Sequence, residues 1–177
     1  NIVNTIVALG NILRPVFKSK DPMCSLRDEL SYLENYIKII NMRFNNSIRF
    51  EIGVDEPVLD CRVPRFILQP LVENAIAAGR QEEDRAIYIA IAAETEGGEL
   101  RIRVTDSGVG IEPERLNELN RLLDSGESQQ ASEGGGGIGL SNVNKRIRLY
   151  FGPQYGLRFE PREKGAEVVV RLPAGGA

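Results

Sequence analysis

The stretch Leu100-Arg-Ile-Arg-Val-Thr-Asp106-Ser-Gly108-Val-Gly110 ends in residues whose types suit ligand binding. On a strand, Leu100, Ile102 and Val104 share one face, and Asp106 is the next residue of that parity. A carboxylate delivered to an inner face is costly unless something pairs with it. A ligand amine, such as the exocyclic amino group of adenine, is a fitting partner. Gly108 and Gly110 let the backbone approach that ligand with no side chains in the way. The plainer alternative is a surface Asp-Ser-Gly turn.

A second group lies in Phe66-Ile-Leu-Gln-Pro-Leu-Val-Glu73-Asn74-Ala-Ile. This segment is apolar almost all round, which predicts a buried helix with Glu73 and Asn74 in its middle. A buried glutamate needs a partner. The Asn74 side-chain oxygen is a hard ligand for Mg²⁺, which takes few protein ligands beside phosphates and waters. Glu73 is then placed to orient or deprotonate a nucleophile. Satisfaction of both side chains by nearby backbone is the competing account.

The third group is Gly134-Gly-Gly-Gly-Ile138-Gly139-Leu140-Ser-Asn142. Its GxGxxG spacing matches a dinucleotide fingerprint, but the preceding polar stretch is no strand, and no GxxxxGK[ST] loop exists in the chain. A glycine loop entering a helix start offers free N–H groups and a favourable dipole to phosphate. Asn142 and Arg146, four apart, fall on one face of that helix. A flexible linker is the alternative.

The chain has 177 residues, 42% hydrophobic and 27% charged, which allows one medium domain or a small domain with a helical appendage. A net charge of −3 argues against nucleic acid as the main partner. No apolar run approaches the ~20 residues of a membrane span. The count of 0 histidines excludes histidine bases, Ser–His and Cys–His nucleophile systems and most zinc sites. Cys24 and Cys61 lie in no metal-ligand spacing and are expected to be free thiols of a reducing compartment.

The elements that must position these groups follow from periodicity. Ile2, Ile6, Leu9 and Leu13 predict a first helix that Pro15 ends or kinks. Ser25 caps a second helix over about Leu26–Phe44, with Leu26, Leu30, Leu33, Ile37 and Ile40 as its apolar stripe. Ile48–Val54 alternates like a strand. A helix follows over Pro64–Ala78, then strands Ala86–Ala93 and Leu100–Thr105 joined at Gly97-Gly98. Helices are expected over Pro113–Leu123 and Leu140–Phe151, around a polar loop Ser125–Gly137, before strands Gly156–Glu160 and Glu167–Leu172. The order lacks strict βαβ alternation, which predicts an α+β mixed sheet covered by helices on one face.

In combination, Glu73-Asn74-Ala75, Asp106-x-Gly108-x-Gly110 and Gly134–Leu140 resemble the N, G1 and G2 boxes of the GHKL ATPase superfamily. Leu26–Phe44, Val63–Ile76 and Gly137–Ile147 are similar to the LytS-type sensor histidine kinases, and the likeness covers nearly the whole chain. It implies a two-layer α/β sandwich of the GHKL (Bergerat) type over residues 46–177, with a mobile lid between the glycine boxes. Residues 1–45 would form a helical dimerisation and phosphoacceptor region, homodimeric in the full-length protein. Asn74 would bind Mg²⁺ and Asp106 would read the adenine of ATP. Gly108 and Gly110 would line base and ribose, while Gly135, Gly137 and Gly139, with Leu140 at the helix start, would bracket the phosphates. Glu73 takes the family's acidic position. The donor would be ATP, the acceptor a histidine, and the next partner a response regulator. A cytoplasmic domain of a membrane-anchored sensor is implied, with any membrane segment outside this chain.

The chain departs from that pattern in three places. The acceptor histidine is absent, and Asn1 aligns just after the segment that carries it. Ala77-Ala78 replaces Lys-His, which implies weaker phosphate contacts. Gly165-Ala166 replaces Gly-Thr beside the adenine pocket. A degenerate, non-transferring dimerisation module and a different GHKL kinase, such as an anti-sigma-factor serine kinase, are the alternatives.

Overall fold

A computed structural model describes residues 21–44, 47–79, 86–126 and 137–175. In chain order it contains β1 (Met23–Ser25), α1 (Leu26–Arg43), β2 (Ile48–Val54), α2 (Glu56–Leu59) and β3 (Arg62–Pro64). There follow α3 (Leu68–Gly79), β4 (Ile87–Glu96), β5 (Glu99–Asp106), α4 (Pro113–Ser125), α5 (Gly137–Phe151), β6 (Gly156–Glu160) and β7 (Glu167–Pro173). The expected helix over Ile2–Leu13 and most of the polar glycine loop lie outside the described residues.

Five strands form one sheet in the order β2-β4-β5-β7-β6, with β2 parallel to β4 and every other pair antiparallel. The β4–β5 hairpin turns on Gly97 and Gly98, both at positive φ (59° and 82°), which is what a two-residue turn matched to strand twist requires. Along β5 burial alternates strictly, and Leu100, Ile102, Val104 and Asp106 are the buried set. Ile87, Ile89, Ile91, Val168, Val170 and Leu172 extend this face across β4 and β7. Most of their alternates, such as Arg49, Tyr88, Arg101 and Arg171, are exposed or half-buried, with the buried Val169 an exception, so the sheet carries one mainly apolar face under the helices, as expected.

Ser25 caps α1 as its sequence predicts, accepting from the Asp28 N–H at 3.1 Å. The stripe Leu26, Leu30, Leu33 and Ile37 is buried and joins the same hydrophobic cluster as the sheet. Cys24 is buried, Cys61 half-buried, and both are free.

Three features differ from the sequence expectation. A helix was expected from Pro64, but it begins at Leu68, because Pro64 pairs with Met23 in a small β1–β3 ladder. Phe66 then takes a left-handed turn at φ 58°, which no helix can carry through. Helix α2 and strands β1 and β3, three or four residues each, are too short to show a period. Helix α5 starts at Gly137, three residues before the expected Leu140, inside the glycine segment itself.

Asn144 locks the end of the molecule that holds α4, α5 and β6. It is 1% exposed, donates to Leu123 O at 2.7 Å and accepts from Leu157 N at 2.8 Å. Asn144→Leu is expected to lower stability by about 2–4 kcal/mol, because two buried backbone groups lose their partner. Urea denaturation checks this, and a loss below ~1 kcal/mol would contradict it.

Candidate nucleotide site

Strand β5 delivers Asp106 to the apolar face at its last residue, where it is 7% exposed. Both hydrogen bonds to its carboxylate go to Oδ1, from Gly108 N at 2.8 Å and Ala166 N at 3.2 Å. The Asp106 N–H in turn donates to Ala166 O at 3.0 Å, so residue 166 holds it from both sides. Oδ2 accepts no hydrogen bond among the described residues. One oxygen anchored and one open is the arrangement an amine-bearing ligand needs. Burial raises the Asp106 pKa above the ordinary value, opposed by the Gly108 and Ala166 N–H groups and then by the charge of Arg162.

Gly108 sits where a side chain would be tightly crowded. A Cβ there would lie 3.0 Å from Asp106 Oδ1 and 3.2 Å from the carbonyl carbon of Ala78, on the last turn of α3. Gly110 stands against the next loop, its Cβ position 3.4 Å from Gly165 O. At the other end of α3, a Cβ on Gly139 would touch Pro70 Cβ at 3.4 Å, which seats the start of α5 there.

Pro70, Asn74 and Ala78 are spaced four apart and so form one stripe along α3. That stripe runs about 12 Å from the Gly139 end to the Gly108 end. Asn74, half-buried, lies midway between the two glycine segments. The three motifs separated in sequence therefore meet along one helix.

Glu73 corrects the sequence expectation. It was read as a buried carboxylate needing a cation, but it is exposed, and its Oε1 accepts from Gln69 Nε2 at 2.8 Å and Tyr36 OH at 3.1 Å. The surrounding residues are apolar, yet the position turns away from the sheet. Leu140 is 4% exposed and belongs to the core. Asn142 is exposed, whereas Arg146 is half-buried. Gly137 begins α5, and Gly135 lies outside the described residues. The deeply buried carboxylate is Glu29, 2% exposed, which the sequence reading did not single out. Its signal was available, since position 29 falls on the stripe between Leu26 and Leu33.

Among the described residues, no cluster of three or more His, Cys, Asp or Glu side chains could hold a metal by itself. A cation here would need ligand phosphates and water beside Asn74. An open cleft of about 680 Å³ also borders the strand ends at Tyr88, Thr105 and Ser107, with Arg49 and Arg162 on its walls. Asp106 and Ile89 line it as well, so it reaches the strand end that carries the candidate site.

Comparison with known proteins identifies the family and the fold. Residues 60–176 match the histidine kinase-, DNA gyrase B- and HSP90-like ATPase family, and residues 1–48 match the histidine kinase family. The sensor histidine kinase YesM of Bacillus subtilis is 34% identical over 173 residues, covering 97% of this chain and 28% of the relative. The sensor protein kinase HptS of Staphylococcus aureus is 27% identical over 174 residues, covering 97% of this chain and 32% of that protein. The chain thus spans 28% and 32% of the lengths of these two curated relatives. Among solved structures, the catalytic domain of histidine kinase ThkA superposes with a TM-score of 0.65 at 22% identity, covering 88% of this chain and 97% of that one. ThkA in complex with the response regulator TrrA gives a TM-score of 0.61 at 23% identity, over 98% of this chain and 49% of that chain.

The chain belongs to the histidine kinase-, DNA gyrase B- and HSP90-like ATPase family. Within it, the chain is similar to part of the sensor histidine kinases YesM and HptS, and its first 48 residues match the histidine kinase family. Among the described residues, no helix is long and apolar enough to cross a membrane.

Proposed function

We propose that the chain binds Mg–ATP along α3 and acts as the phosphoryl-donor region of its kinase. The acceptor would be a histidine that this chain, with 0 histidines, does not itself supply, and a response-regulator aspartate would follow. The observation that carries the reading is the Asp106 carboxylate, anchored through Oδ1 with Oδ2 open beside Gly108.

In this reading Asp106 accepts from the adenine amine, and Gly108 and Gly110 lie against base and ribose. Asn74 ligates Mg²⁺ from the middle of α3. Gly137 and Gly139, with the Leu140 backbone and the exposed Asn142, surround the phosphates, and Arg146 approaches them from the half-buried side of α5. Bound Mg–ATP would supply the γ-phosphoryl group. Glu73, exposed and held by Tyr36 and Gln69, stands where an incoming histidine can reach it. Its part is to orient that side chain or take its proton. Residues 1–45 would serve dimerisation in the full-length protein.

Ala77-Ala78 favours a second reading, a module that binds nucleotide without transferring phosphate. Isothermal titration with Mg–ATP is expected to give saturable one-to-one binding, and no binding at millimolar nucleotide would sink both readings. Incubation with labelled ATP and a histidine-bearing helical segment of the parent kinase separates them. Acid-labile label on that segment supports the donor role, and its absence despite binding supports the second reading.

A further inference from the structure

Three polar contacts step along α1 and α3 in the same order, so the two helices run side by side. Glu29 accepts from Phe66 N at 2.8 Å and Leu68 N at 3.0 Å, where α3 begins. Tyr32 OH donates to Gln69 Oε1 at 3.1 Å, and its ring meets that of Phe66 edge-on at 4.8 Å. Tyr36 OH donates to Glu73 Oε1 at 3.1 Å. Positions 32 and 36 share one face of α1, as 69 and 73 share one face of α3.

Both donors at Glu73 go to the same oxygen. Gln69 Nε2 donates to Oε1 at 2.8 Å beside the Tyr36 hydroxyl, and Oε2 accepts no hydrogen bond among the described residues. Tyr32 takes part at one remove. By occupying Gln69 Oε1, it turns the amide so that Nε2 faces Glu73. Burial, and then the charge of Glu73, pushes the Tyr36 phenol up, so Tyr36 stays a donor. An exposed glutamate ordinarily samples many rotamers. Here half-buried neighbours pin one oxygen and leave the other unengaged.

The two tyrosines come from outside the region they serve. Glu73 and Asn74 lie in the ATPase match over residues 60–176, whereas Tyr32 and Tyr36 lie in the separate match over residues 1–48.

We propose that Tyr36, supported by Gln69 and Tyr32, is a positioning residue for phosphoryl transfer, fixing Glu73 so that Oε2 meets the acceptor imidazole. The proposal rests on the donor reading above. Oε2 accepts from one imidazole N–H, so the other ring nitrogen keeps the lone pair that forms the N–P bond. The bond from the γ-phosphorus to the ADP oxygen breaks, ADP leaves with its electron pair, and the ring sheds the N–H proton to Oε2. The N-terminal helix thus governs transfer through Glu73 and leaves nucleotide binding alone, since Gly108 and Ala166 hold Asp106 independently.

The test follows transfer from Mg–ATP to the histidine-bearing helical segment of the parent kinase, with rates expressed per Mg–ATP-binding site from calorimetry. Y36F removes one hydroxyl and is expected to lower kcat about tenfold, and Y32F about threefold, as displaced supporting groups do. E73Q should lower kcat about a hundredfold. Y36F/E73Q should fall no lower than E73Q, because Tyr36 acts through Glu73. Mg–ATP affinity and the acceptor KM should stay within about twofold throughout.

Losses that multiply in the double variant, to about a thousandfold, would overturn the positioning role. So would a Y36F loss carried by the acceptor KM, by Mg–ATP affinity, or by the number of binding sites alone, the mark of a structural residue. Transfer absent from the unsubstituted chain despite Mg–ATP binding would instead overturn the donor reading, and the positioning role with it.

Discussion

Asp106→Asn is expected to weaken Mg–ATP binding about a hundredfold while leaving the fold intact, because roughly 2–3 kcal/mol rides on the charged acceptor. An asparagine can offer its single oxygen either to the Gly108 and Ala166 N–H groups or to the ligand amine. Whichever it serves, its NH₂ group faces the other. With the oxygen kept on Gly108 and Ala166, donor meets donor at the base, and affinity falls. With the amide reversed, two backbone N–H groups 2.8 and 3.2 Å away lose their acceptor, and the pocket wall moves. Titration calorimetry at a pH where the carboxylate is ionised checks this, alongside a melting curve to establish folding. A dissociation constant within threefold of the unsubstituted chain would sink the pocket assignment.

The second large effect concerns stability. Gly165 has φ +69°, and a Cβ there would lie 1.8 Å from the backbone oxygen of Asp106. Gly165→Ala is expected to cost about 3–4 kcal/mol, combining a left-handed alanine with forced movement of packed backbone. Gly97→Ala is the control, since Gly97 also has positive φ (+59°) but nothing within 4 Å of its Cβ position. It should cost only about 1 kcal/mol, the conformational part alone. Denaturant midpoints of the two variants measure the difference. Equal losses would mean that the loop yields freely, and that its grip on Asp106 is not rigid. Because Ala166 follows directly, a shifted Gly165 also withdraws an N–H from the Asp106 carboxylate.

That grip explains why the Gly165-Ala166 departure matters little to the anchoring of Asp106. The contact to Asp106 runs through the backbone of residue 166, which any residue except proline supplies. A sequence shows only the side chain at residue 166, whereas both bonds to Asp106 run through its backbone.

Other parts of the site were legible for definite reasons. Two-residue parity on β5 places Asp106 on the inner face with no tertiary information, and Gly97-Gly98 announces its hairpin by the φ values it alone tolerates. Glu73 was misjudged because a helix apolar on most sides does not reveal which flank lacks a neighbour. Tyr36 and Gln69 settle that, and Tyr36 lies 37 residues away. The start of α3 was misplaced for a related reason. Pro64 is a good first-turn residue, but its pairing with Met23 and the cap from Glu29 are long-range, and they outweigh local preference. Glu29 itself was hidden by habit, since a charge on an apolar stripe is easily taken as an interruption.

The open Oδ2 of Asp106 has a consequence for choice among purines. In the proposed pose an acceptor at that point would meet the 6-amino group of adenine, whereas guanine in the same pose would bring its 6-keto oxygen there, lone pair against lone pair. A single oxygen, left unbonded by the fold, would thus discriminate one cellular energy currency from the other.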